Sequence, residues 1–299
     1  MKMSTLRVVT VFAALAACAA SSAPGQAPLP TPAPPPAAVS TPPPGYPAAE
    51  LERIVSPIAL YPDPLLAQVL AAATFPADIP PAAKWADEHH YLSGKQLTDA
   101  MAADHLPWDP SVQALLPFPS VLEMMASDMP WTEELGNAFL VQRDEVMDAV
   151  QRLRQKAWGY GYLRGCAPIV VHSGPFVEIL PANPAFVVVP YYDPAIVFTP
   201  PPPNFVVPGA IYCGFGIRLG VWFAPWGWGT TRFLWATHGL VIANVPWGRN
   251  WGNRGSYSHP YTVPRYPLPR PPERHPLRPR TPHDRTREHP GGGAGHRER

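Results

Sequence analysis

The chain is poor in the residues that most often announce chemistry. Of its 299 residues three are cysteines, and charged side chains make up only 15%. It has no CxxC pair and no His/Cys spacing of the kind that holds zinc, so no metal or cofactor is expected. A GxSxG elbow, a phosphate-binding glycine loop and an HExxH helix are also lacking. The carboxylates form no separated pair that the pattern places on one cleft, and these absences together weigh against an enzyme. An uninterrupted apolar run of membrane-spanning length is missing as well. Val8–Leu15 is too short, and Val206–Trp226 carries Arg218 at its middle, with Pro208 and Pro225 near its ends. That second segment reads instead as a buried or interfacial hairpin or helix, its glycines 209, 214, 216 and 220 suited to close backbone packing. In the interfacial case residues 206–226 make a membrane-surface module.

Proline is in excess, with 45 residues in the chain, and it crowds the segments Pro24–Pro47 and Pro260–Pro290. Both stretches are expected to be extended and without a packed core. The amino terminus places Lys2 and Arg7 ahead of the short apolar run and then small residues, the layout of a secretory signal. Cleavage near Ala20 or Ala23 is one outcome. The other follows from Leu15-Ala16-Ala17-Cys18, which looks like the bacterial lipobox. It implies a signal peptide over 1–17 and acyl chains on Cys18, giving a membrane contact through an N-terminal lipid anchor. A buried methylene contributes about 0.8 kcal/mol, so several chains hold firmly where one binds reversibly. Ala19 in place of aspartate favours the outer membrane, facing the periplasm, over the inner membrane or a free periplasmic form. In that oxidising compartment Cys166 and Cys213 can form a disulfide; the alternative is two small buried hydrophobes.

Charge is balanced at +1 but unevenly spread. Residues 51–157 hold 15 acidic and 7 basic side chains, whereas from Arg249 onward 11 arginines face 4 acids. Both are readable as solvated surface, or the tail binds the acidic part or an anionic neighbour. Export argues against nucleic acid as that neighbour.

Apolar residues at three- and four-residue spacing predict helices. One starts at Asp63-Pro64, with Asp63 as N-cap, and buries Leu65, Leu66, Val69 and Leu70. After an interruption at Pro76–Pro81, others are expected over Ala82–His90, from Ser93, from Asp109-Pro110 and from Ser120. The clearest runs unbroken from Thr132 to Ala157. Past Gly159 the texture changes to short β-branched runs. Val177–Leu180, the turn Pro181–Pro184 and Phe186–Val189 read as a hairpin. Trp222, Trp226, Trp228, Trp235, Trp247 and Trp251, six of the ten tryptophans, follow among Gly and Arg. They are either binding aromatics or the core of a small Gly-rich β module.

The stretch Ser56-Pro57-Ile58-Ala59-Leu60-Tyr61-Pro62-Asp63-Pro64-Leu65-Leu66-Ala67-Gln68-Val69-Leu70 resembles the opening of the domain of unknown function 3300 family, exported proteins of Gram-negative bacteria that are often lipoproteins. Glu178–Pro184 and Val189–Pro194 are also similar to that family. The resemblance implies a cell-envelope location and brings no activity or site residues with it.

Two polar candidates remain. Adjacent helical residues diverge, so Asp87-Glu88-His89-His90 cannot converge on one ion. Asp63, Asp109 and Asp193, each before a proline, fit helix capping better than catalysis. The expected architecture is a mainly α-helical acidic domain (51–158), followed by a small β-containing Gly/Trp-rich region (159–259). A Pro-rich tether (18–50) precedes them and a disordered basic tail (260–299) follows. The expected role is a non-enzymatic adaptor or binding protein in the periplasm, with an envelope protein or cell-wall polysaccharide as partner. The alternatives are an enzyme acting on envelope material and the membrane-surface module.

Overall fold

The computed structural model describes residues 42–164, 166, 169–203, 207 and 209–261. The signal segment, Cys18, the proline stretch as far as residue 41 and the tail from residue 262 lie outside the described residues. Helices come first: α1 (Ala48–Val55), α2 (Asp63–Ala73), α3 (Ile79–Glu88), α4 (Gly94–Asp104), α5 (Pro110–Gln113), α6 (Pro119–Ser127), α7 (Met129–Val141) and α8 (Arg143–Gly159). Several open on a proline in the first turn, where its missing N–H would have no partner anyway. Pro80 and Pro81 are such residues. They begin α3 rather than interrupt it, and the helix ends at Glu88 instead of His90.

Asp109 caps α5 by accepting the Ser111 N–H at 2.9 Å. Asp193 caps the short α9 (Pro194–Val197) through the Ala195 N–H at 2.8 Å. Asp63 does not cap α2: it is the first residue inside the helix, behind Pro62, and its carboxylate is bonded elsewhere. The helix expected over Thr132–Ala157 is two helices, broken at Gln142 (φ −135°, ψ 52°). That break serves both termini of the fold. The Gln142 side chain accepts the Tyr46 N–H at 2.6 Å, and the freed Leu140 carbonyl accepts the Trp251 N–H at 3.0 Å. The packed structure therefore starts before residue 51, with Tyr46 and α1 belonging to it.

Helix α2 lies at the centre, every side chain from Leu65 to Ala73 buried. A helix apolar on all sides has no solvent face and must be wrapped by other elements. On one side α7 approaches so closely that a Cβ on Gly136 would collide with the Ala73 carbonyl oxygen.

Beyond α8, β1 (Ile169–Ser173) and β2 (Val177–Pro181) form an antiparallel hairpin, Ile169 opposite Pro181 and Ser173 opposite Val177. The hairpin expected between Val177–Leu180 and Phe186–Val189 is not formed, because β1 lies one tight turn (Gly174–Phe176) before β2 and takes its edge. The second run pairs later in the chain. β3 (Phe186–Val187) joins β6 (Ile217–Arg218), and β4 (Pro190–Tyr192) joins β5 (Ile211–Cys213), making one long bent ribbon. A three-stranded sheet of β7 (Arg232–Leu234), β8 (Gly239–Ile242) and β9 (Val245–Pro246) ends the order.

The border expected at residue 158 does not separate two cores. Val187, Leu219, Phe223, Trp226, Trp228, Phe233, Trp235, Leu240, Ile242 and Trp247 share one apolar cluster with the side chains of α1 to α8. A second, smaller cluster under β1 and β2 gathers Leu60, Ala157, Tyr162, Ile179 and Val197.

Replacing Gly136 by alanine inserts a methyl group into the α2–α7 contact, where backbone rather than a pliant side chain opposes it. Overpacking of this kind costs about 1–3 kcal/mol. Urea unfolding of Gly136→Ala is expected to show at least that loss; a midpoint equal to the parent chain's would contradict the described contact.

Candidate functional site

The most deeply buried charged group among the described residues is Arg154 of α8, whose side chain has 0% exposure. Its Nε donates to the Ala59 carbonyl at 2.7 Å and Nη2 to the Tyr61 carbonyl at 2.8 Å. Nη1 donates to Asp63 Oδ1 at 2.6 Å and to the Val177 carbonyl at 3.0 Å. The other Asp63 oxygen, Oδ2, accepts the Trp235 indole N–H at 3.1 Å, and the guanidinium lies 5.1 Å from that indole ring. Gln151, one turn before Arg154, clamps both polar atoms of the Val177 backbone. Tyr192 completes the set, its hydroxyl donating to the Ser56 carbonyl at 2.8 Å and accepting the Leu60 N–H at 3.2 Å. Burial pushes that hydroxyl's pKa well above the tyrosine range. The segment Ser56–Asp63 is thus held by α8, β2, β4 and the turn after β7. Its aspartate balances a buried cation and is sealed from solvent, which is a structural use.

The tryptophans divide by burial. Trp226, Trp228, Trp235 and Trp247 are buried, so no ring face is open to a partner at any of these four positions. Three of them anchor the carboxyl half to the helices. Trp226 Nε1 donates to Gln113 Oε1 (3.2 Å), Trp228 Nε1 to the Ala114 carbonyl (3.0 Å) and Trp235 Nε1 to Asp63. Trp247 packs on Phe139 with ring centroids 5.4 Å apart and under the Arg143 guanidinium. Gln68 inside α2 returns the contact, donating to the Trp226 carbonyl at 2.8 Å. Trp251 is half-buried beneath the Arg254 guanidinium at 3.7 Å, and Trp222 is exposed, with Lys95 Nζ 6.0 Å from its ring.

Cys166 and Cys213 are joined in a disulfide, their Cα atoms 5.8 Å apart across 47 positions of sequence. It ties the segment after α8 to β5. Asp87, Glu88, His89 and His90 do not converge. His89 stacks on Trp85 and bonds its carbonyl at 2.8 Å, His90 bonds the Asp87 carbonyl, and Glu88 faces Lys84 at 3.8 Å. Among the described residues no group of three or more His, Cys, Asp or Glu could hold a metal ion. Cys18 lies outside the described residues.

The ribbon carries what the sequence did not single out. Phe186, Tyr191, Tyr212 and Phe215 are exposed large aromatics, and Tyr191 and Tyr212 stand opposite each other in register. Between the pairs Val187–Ile217 and Pro190–Cys213, two residues on one strand face three on the other, Gly214, Phe215 and Gly216. The two ladders are separate sheets, and the unpaired Gly214–Gly216 between them is a bulge-like interruption that bends the strand. Here it turns Phe215 fully into solvent. Gly216 packs tightly beneath it, since a Cβ there would lie 3.0 Å from the Phe186 Cβ.

The signature stretch at α2 and the ribbon both fall inside residues 47–252, which match the model of the family described as "Protein of unknown function (DUF3300)". The chain belongs to this family. One DUF3300-like relative is the "Uncharacterized protein YacH" of Escherichia coli (strain K12), 33% identical over 218 residues. That alignment covers 58% of this chain and 35% of the relative, so the chain spans about a third of the curated relative it matches. No solved structure matches. The DUF3300 match extends from Pro47 before α1 past Trp247 and Trp251, so both halves of the shared core lie within the family's span.

Breaking a buried ion pair from one side leaves an uncompensated charge and costs about 3–5 kcal/mol. Arg154→Met and Asp63→Leu are each expected to lose stability on that scale. The double variant should lose less than the sum, because neither charge is then stranded. Denaturant titration of the three variants checks this, and strict additivity would show that the pair is not coupled.

Proposed function

We propose that this chain is an exported cell-envelope protein, held to a membrane by acyl chains on Cys18, that works by binding rather than by catalysis. The observation that carries the reading is the exposed aromatic surface of the ribbon. Large rings are left in water at Phe186, Tyr191, Tyr212 and Phe215, whereas Asp63 and Arg154 are closed on each other inside. An exposed apolar patch on an otherwise well-packed protein marks a contact surface.

Export is supported by the Cys166–Cys213 pairing, since structural disulfides persist in oxidising compartments and are rare in the cytosol. The lipobox-like Leu15-Ala16-Ala17-Cys18 supports the anchor, and Ala19 supports the outer membrane, facing the periplasm. The proline-rich composition of residues 19–41 suits a tether, advancing about 3 Å per residue where extended. Acylation of one cysteine leaves the other two free to pair with each other. The partners suited to such an adaptor are an envelope protein or the cell-wall polysaccharide.

Fractionation of cells making the parent chain and Cys18→Ser tests the anchor. The parent is expected in the membrane fraction and to incorporate labelled fatty acid, and the variant to do neither; equal labelling of both would refute lipidation at Cys18. A second measurement concerns the disulfide. Closing a loop of this length stabilises by about 2–4 kcal/mol. Cys213→Ser is therefore expected to lower the unfolding free energy on that scale, and no loss would remove the pairing as support for export.

A further inference from the structure

The ribbon's outward face has a composition that selects among contact partners. From β5 into the turn that follows β6, the exposed side chains are Tyr212, Phe215, Arg218, Val221 and Trp222. Phe186 and Tyr191 join them from the opposite strand, Phe186 directly across from Arg218. A wholly exposed phenylalanine therefore sits between two tyrosines and a cation, with Trp222 and a 77% exposed valine a few residues on. The segment that carries Tyr212 to Trp222 supplies Arg218 and no acid, since no aspartate or glutamate occurs between Asp193 and Glu273; outside it, exposed Asp193 lies two residues from Tyr191 and Asp99 pairs with the Lys95 beside Trp222. The acidic side chains are concentrated in the helices instead, 15 of them within residues 51–157.

We propose that this face rests on an anionic phospholipid surface, with Phe215 entering the headgroup–acyl boundary. The proposal rests on the export and anchor reading above, which supplies the bilayer. Phenylalanine and valine gain by leaving water. Tyrosine and tryptophan are the amphipathic rings that settle at headgroup level, and arginine faces the phosphates. A protein surface would be served by rings alone; a protruding apolar side chain on a segment that carries a cation and no acid matches a negatively charged interface. The anchor contributes through effective concentration, because acylation at Cys18 raises the local concentration of the chain at lipid and a weak contact then suffices. The exposed side chains from Tyr212 to Trp222 accordingly lie on the membrane, while Leu219, Phe223 and Trp226 stay in the protein's core. Among the described residues no helix is long and apolar enough to cross.

The test is flotation of the mature chain from Ala19, made without acyl groups, with vesicles of phosphatidylethanolamine and phosphatidylglycerol and with vesicles of phosphatidylcholine alone. Leaving out the lipid makes the result independent of whether Cys18 is acylated, so failure here and failure of the anchor are separate outcomes. Binding to the phosphatidylglycerol vesicles is expected, weakened by salt. Phe215→Ser should reduce it about tenfold or more, Val221→Ser by less, and Arg218→Glu should abolish the preference for the anionic lipid. Both apolar side chains are exposed, so the thermal midpoints of the two serine variants are expected to stay at the parent value. Absence of flotation with either vesicle overturns the proposal, as does flotation of Phe215→Ser equal to the parent's. So does a Phe215-dependent interaction found instead with purified cell wall or with a second copy of the chain.

Discussion

A guanidinium with no exposed surface must find every acceptor inside the protein, and Arg154 meets that demand by drawing distant parts of the chain together. Its partners are the carbonyls of Ala59, Tyr61 and Val177 and the carboxylate of Asp63. Those residues lie in the loop before α2, in β2 and at the start of α2. Asp63 passes the constraint on to Trp235, and so to the turn between β7 and β8. An unpaired charge in this position would cost several kcal/mol, a large share of the net stability of an ordinary domain. The loop and hairpin are therefore not free to pack independently of the helices.

The same dependence explains the tryptophans. Rings on the carboxyl half fill the space around α2 and α5, and their N–H groups reach acceptors on the helical half at Gln113, Ala114 and Asp63. An indole combines a large apolar face with one donor, so it suits an interior where backbone carbonyls still need partners. What a composition count presents as a Gly/Trp-rich appendage is the outer wall of the helical core.

Local features were legible in the sequence, and long-range partners were not. Helices α2, α5 and α6 follow from apolar spacing and prolines at their starts, and α4 from apolar spacing behind Ser93. The split at Gln142 left no mark because the apolar phase continues across one non-helical residue. Asp63 has the sequence environment of a cap, identical in kind to Asp109 and Asp193, yet a guanidinium 91 positions away takes its carboxylate. The ribbon's aromatics were hidden for a related reason. The interruption at Gly214–Gly216 disrupts the two-residue alternation that would have identified an exposed face, and its pairing strand lies across a separate helix, α9. The family membership was carried by Ser56–Leu70, the stretch that Arg154 and Tyr192 fix in place.

The helices and the Trp-rich region unfold as one body because they share the Arg154–Asp63–Trp235 connection. Equilibrium urea unfolding of the full chain, followed at once by far-ultraviolet circular dichroism and by tryptophan fluorescence, addresses it most directly. The first signal is dominated by α1 to α8 and the second largely by the rings after β6. A single transition with coincident midpoints is predicted. A tryptophan transition complete while the helical signal is still intact would contradict the claim.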